Sequence, residues 1–301
     1  MNAKKIGSSM LLTLTALIWG VAFVAQRVGM DYVGPYTFNA ARFLIGGIVL
    51  LPVVFIFNKK AMDVQSMKTG IAGGLCCGIC LSVASTLQQV GILYSDSVGK
   101  AGFITSLYII MVPLLGIFLG KKVRASVWVS VAIAAAGMYL LCITDRFFLQ
   151  RGDLLVVLCA VAFSVHILVI DYFSPKADGV LISCIQFFVA GIVCTVLTFL
   201  FEEPVMEHIM AARIPILYAG VLSSGVGYTL QVVAQKNIEP TIASLIMSLE
   251  SVFSLAAGAV ILEQLLSGKE MAGCVLVFAA IILAQLPHKM PGREKMDCSN
   301  G

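Results

Sequence analysis

Arg42 and Glu250 each stand alone inside a long apolar stretch of sequence. A guanidinium in such surroundings attracts a carboxylate or phosphate, and a carboxylate there binds an amine or a proton. A charge within a membrane costs roughly 2.5–3.5 kcal/mol on insertion scales, so each is a site candidate by default. A second reading stays open: the two form a buried ion pair, or Arg42 extends its charged head to the interface. Arg42 lies about five residues into its stretch and Glu250 about ten into its own, on the order of 7 Å apart in depth at the helical rise. That gap is within reach of an arginine side chain.

Other polar side chains fall in similar places. His166 can carry a proton near neutral pH or serve as a hydrogen-bonded helix residue. Gln88, Gln186 and Gln231 can read polar groups of a ligand or bridge helices. Trp19, Tyr108 and Tyr228 lie within apolar stretches rather than at their ends, as a ligand-facing wall or as packing. Cys77 and Cys80 form a C-x-x-C beside Cys76, but no second ligand cluster accompanies them. They read as small buried apolar residues, with no metal and no cofactor expected. Phosphate-loop, H-E-x-x-H and G-x-S-x-G signatures are absent, so neither ATP-driven transport by this chain alone nor an enzyme is expected.

The elements that position these residues follow from composition. Of 301 residues, 59% are apolar and 12% charged, with mean hydropathy +0.99. A soluble domain carries about 25% charge, and disorder requires low hydrophobicity, so both classes are excluded. Eight windows hold no charge: 6–26, 69–95, 101–120, 125–144, 154–170, 179–201, 214–235 and 271–288. Stretches 32–58 and 240–262 are broken only by Arg42 and Glu250. Each suits a bilayer-crossing helix of about 20 residues, giving ten spans. The runs are continuously apolar rather than alternating, which excludes a barrel. The first lacks a small-residue cleavage signature and is read as a span, not a leader.

With the N-terminus in the cytoplasm, 13 of the 20 Lys and Arg fall in inside segments, 6 outside and one, Arg42, within the membrane. This bias favours both termini inside. The net charge of +4 thus reports topology, not a nucleic-acid partner.

The chain also repeats itself. VASTLQQV at 83–90 matches VGYTLQVV at 226–233, Phe43–Phe57 matches Phe187–Phe201, and Val21-Ala22-Phe23 recurs as Val161-Ala162-Phe163. Two units are expected, 8–144 and 152–286, with a polar cytoplasmic tail at 287–301. Five spans per unit is an odd number, so the second unit enters the membrane inverted. Inverted repeats supply two related conformations, open to either side. Gly70, Gly74, Gly78 and Ser82 place small residues along one face of span 3 for close helix packing. Pro113 in span 4, and Gly225 and Gly227 in span 8, are expected bending points.

Three segments then suggest a family: YTFNAARFLIGGIVLLP in span 2, LQQVGILYSDSVGKAGFITSLYIIMVPLLGIFLGKK in spans 3–4, and YTLQVVAQKNIEPTIASLIMSLESVFSLAAGAVILEQ in spans 8–9. Their order and spacing resemble the drug/metabolite transporter superfamily, ten-helix proteins with two EamA repeats. Ser251 stands where that family usually has proline, which removes the expected proline kink, and Lys121 where its first repeat often has glutamate. The resemblance implies a secondary transporter of a small metabolite, an amino acid or related compound, with export as the expected direction. It implies a central cavity lined by spans 1–4 and 6–9, with spans 5 and 10 peripheral. The cavity candidates it carries over are Trp19, Arg42, Gln88, Tyr108, His166, Gln231 and Glu250. Expected partners are the substrate, the lipid bilayer of the cell membrane, and protons as candidate coupling ion. The rival roles are a non-transporting membrane subunit, a lipid or flippase component, and a membrane-embedded lipid enzyme.

Overall fold

The computed structural model describes residues 3–57, 64–94, 98–121, 123–142, 151–261 and 267–286. The tail at 287–301 lies outside these residues, as does most of the expected boundary at 144–153. The described residues form helices joined by short turns, without strands. Among the described residues, nine helices are long and apolar enough to cross a membrane, and Ala125–Leu140 forms a shorter apolar helix that is counted as the tenth span.

In order, spans 1–3 are Ala3–Gly29, Pro35–Phe57 and Val64–Leu93. Span 4 is broken into Val98–Ser106 and Tyr108–Phe118, and span 5 is Ala125–Cys142. Spans 6 and 7 are Arg151–Phe173 and Gly179–Phe201. Span 8 runs from Arg213 to Gln235, span 9 is broken into Pro240–Met247 and Leu249–Ile261, and span 10 is Gly268–Gln285.

Large apolar side chains remain on the outside, among them Phe118 (86% exposed) and Phe199 (73%). In lipid these cost nothing, so folding cannot rest on burying them; close helix contact must supply the stability. The small-residue face of span 3 does so. A Cβ added at Gly70, Gly74 or Gly78 would lie 2.8, 2.5 and 2.6 Å from atoms of Leu181, Ile185 and Val189 on span 7. Both rows have four-residue spacing, so ridge meets groove along two and a half turns.

The packing repeats under exchange of the two halves. Span 2 lies along span 7, and span 5 packs mainly on span 10. Span 3 packs on spans 6 and 7, as span 8 does on spans 1 and 2. Phe43 and Phe187, matched positions in the two halves, stack with rings 6.3 Å apart and 8° from parallel.

Three backbone features correct or sharpen the sequence reading. Span 4 breaks at Leu107, six residues before Pro113, which sits inside an intact helix. Span 9 breaks at Ser248 although no proline follows Glu250. There the hydroxyls of Ser244, Ser248 and Ser251 donate to the carbonyls of Thr241, Leu245 and Ser248, competing with the helical ladder. In span 8, Gly225 and Gly227 do not produce a simple bend; Tyr218–Tyr228 widens into a π-helix. Span 1 fastens it: Trp19 Nε1 donates to the Ser223 carbonyl (3.2 Å), and Thr15 Oγ1 to that of Gly227 (3.2 Å).

The two ends of the bundle are tied differently. At one end, the Glu202 carboxylate after span 7 accepts from the backbone N–H of Tyr36 (2.9 Å) and Thr37 (2.8 Å), capping span 2. At the other, Lys121 after span 4 pairs with Asp171 of span 6.

Candidate functional site

Between the halves lies a narrow cavity of about 30 Å³. Its wall comes largely from matched positions. Phe23 and Phe163, Gln88 and Gln231, Thr105 and Met247, and Tyr108 and Glu250 all face it. Trp19, Gln26, Arg42, Ser223 and Tyr228 complete the polar and aromatic lining.

Glu250 is the second residue after the break in span 9, and Tyr108 the first after the break in span 4. Tyr108 Oη donates to Glu250 Oε1 at 3.0 Å, and Ser106 Oγ approaches the same oxygen at 3.4 Å. Both donors belong to the opposite half. The carboxylate is therefore held by hydroxyls rather than by a cation. Arg42, 1% exposed, makes no ion pair with it, so that alternative reading is not realised in this conformation. The guanidinium instead lies over the Phe43 ring, 4.6 Å from its centroid. Its Nε and Nη2 have no hydrogen-bond partner.

The remaining candidates divide. Trp19 packs on Tyr228 with rings 4.5 Å apart, and both form the cavity wall. Gln88 Nε2 reaches Thr105 Oγ1 at 3.4 Å. Gln231 Nε2 donates to Gln235 Oε1 at 2.9 Å, leaving its own Oε1 unpaired. His166 does not line the cavity. It sits behind Tyr228 (ring centroids 6.0 Å apart), with Nε2 bonded to Gln186 Oε1 at 3.0 Å. Among the described residues no three His, Cys, Asp or Glu converge as a metal site, and the described cysteines are free thiols.

Sequence reasoning passed over Thr105 and Met247 because neither type stands out in an apolar run. A signal existed: Ser106-Leu107-Tyr108 aligns with Ser248-Leu249-Glu250 at an offset of 142, between those of the other repeats.

The sequence model of the EamA-like transporter family matches residues 7–143 and again 150–286. The chain belongs to this family. An uncharacterized transporter of Archaeoglobus fulgidus is 28% identical over 286 residues, 95% of this chain and 88% of that one. The uncharacterized transporter YoaV of Bacillus subtilis is 23% identical, covering 89% and 92% of the two chains. The uncharacterized inner membrane transporter YedA of Escherichia coli K12 is 20% identical, covering 92% and 90%. A solved crystal structure superposes with TM-score 0.75 at 18% identity, covering 93% of this chain and 96% of that chain, and shares the fold. The protein is thus a multi-pass membrane transporter of the cell membrane, and its family points away from enzymatic chemistry.

Proposed function

We propose that the protein moves a small metabolite, an amino acid or related compound, across the cell membrane by alternating access, in the export direction. Two units, 8–144 and 152–286, rock against one another around the central cavity, with both termini in the cytoplasm. The observation that carries this reading is the Tyr108–Glu250 hydrogen bond. It joins the two broken spans at matched positions, inside the cavity, across the seam between halves.

Broken spans supply polar backbone and hinge points at the depth where a substrate must be held. A bond across the seam is made by one relative placement of the halves and strained by another. Substrate or proton arriving at Glu250 competes with Tyr108 and so weakens the link that holds this placement. The Lys121–Asp171 pair ties span 4 to span 6 at one end while the link is intact.

Proteoliposomes loaded with metabolite panels test the proposal. Flux above that of empty vesicles is expected, and its rate should follow an imposed pH gradient if protons are the coupling ion. Absence of flux for every compound refutes transport by this chain alone. Indifference to the gradient refutes proton coupling and leaves transport standing.

A further inference from the structure

Among the described residues, the cavity holds one cation, and its binding edge is vacant. Arg42 is buried, lines the cavity and makes no ion pair there. Its two unpartnered nitrogens, Nε and Nη2, lie on the same side of the planar guanidinium. Together they form the side-on edge that grips a carboxylate through two parallel N–H···O bonds. The ring of Phe43 supports the guanidinium, and Phe43 is itself fixed by stacking on Phe187. The fork is therefore held in orientation before any ligand arrives.

The matched corner of the other half is arranged differently. Gln186 occupies the position matched to Arg42, and His166 that matched to Gln26. Gln186 and His166 bond each other at 3.0 Å, away from the cavity wall. Arg42 and Gln26 instead both face the cavity. One pair bonds within itself away from the cavity; its counterpart opens onto the cavity and carries a cation. The rest of the lining offers acceptors: Gln26 Oε1 and Gln231 Oε1 lack donors, and Glu250 is a carboxylate.

We infer that the side-on edge of Arg42 is the seat for one carboxylate of the carried compound, whose other polar groups are hydrogen-bond donors. The inference rests on the transporter reading and narrows its substrate class. It implies a fixed polarity in the bound molecule: acid end against the first half, donor end toward Gln26, Gln231 and Glu250.

The test uses the full-length protein purified in detergent, at constant ionic strength, with melting temperature as readout. The probes are monocarboxylates from acetate to hexanoate, their primary amides, 6-aminohexanoate and inorganic phosphate. Ligands that bind the folded state raise its melting temperature. At least one carboxylate should raise it while its amide does not, and 6-aminohexanoate should act at lower concentration than hexanoate. In R42K, which keeps the charge but loses the fork, the concentration needed should rise about tenfold or more. In R42Q the shift should vanish; if R42Q does not fold, R42K decides. No shift with any carboxylate, or an undiminished shift in R42K, overturns the inference. A shift with phosphate alone overturns the carboxylate assignment. Because no membrane is involved, these outcomes are independent of flux: binding without transport counts against the transporter reading instead.

Discussion

Glu250 illustrates how a single acid can be stabilised in a membrane without a counter-ion. Its partners are two hydroxyls from the other half, and hydrogen bonds to a charged group are worth about 1.5–3 kcal/mol each. Glu250→Gln keeps the shape and the capacity to accept from Tyr108, so folding should be preserved. Transport per folded molecule should fall about tenfold or more, the equivalent of losing one charge-assisted bond. Flux normalised to folded protein checks this, and unchanged flux makes Glu250 structural only. Tyr108→Phe leaves the carboxylate with Ser106 alone and should destabilise this placement of the halves by about 1–3 kcal/mol. A lower melting temperature, restored in part by adding Glu250→Gln, would identify the pair as coupled. Arg42 and Glu250 were legible in the sequence because a charge in an apolar run is conspicuous. Their failure to pair was not, since separation around the bundle depends on helix rotation, which depth along the helix does not encode. His166 looked equivalent to the others by the same logic, yet rotation turns it toward Gln186.

Among the helices, span 3 is defined by what its glycines leave out. Gly74→Leu drives a side chain into Ile185, 2.5 Å from where its Cβ would stand, and overpacking of this kind costs about 1–3 kcal/mol. Gly102 meets nothing within 4 Å, so Gly102→Ala should be neutral by the same measurement, the melting temperature of purified protein. The stripe at 70, 74, 78 and 82 was readable because spacing alone assigns a helix face. The breaks were harder to place. Proline suggested Pro113, whereas the chain yields at Leu107 and Ser248; Gly225 and Gly227 do fall inside the stretch Tyr218–Tyr228 that widens. Serine hydroxyls folding back on their own helix explain span 9, and donors arriving from span 1 explain span 8. The second cause is tertiary, so no local pattern announces it.

For the molecule as a whole, the repeat was the most informative reading, because five crossings per copy dictate inversion whatever the side chains are. The ties at the two ends should then bias which side is open. Lys121 is 38% exposed and Asp171 17%, so their bond is worth about 1 kcal/mol or less. Lys121→Ala should therefore raise severalfold the rate at which a cysteine introduced at Gln235, buried at that end, is labelled by an aqueous maleimide, without unfolding the protein. This is measured in a background lacking the native cysteines. Unaltered labelling would show that the pair does not hold that end shut.

The π-helical stretch of span 8 has no counterpart in span 3, which is an unbroken α-helix. Duplicated halves invite the picture of a balanced rocker, equally at rest either way. Here one arm is wound wider than the other. On the proposed rocking cycle, the unloaded carrier would then have a preferred resting side, and its empty return and loaded crossing would run at unequal speeds, while the final concentrations would remain set by the driving gradients alone.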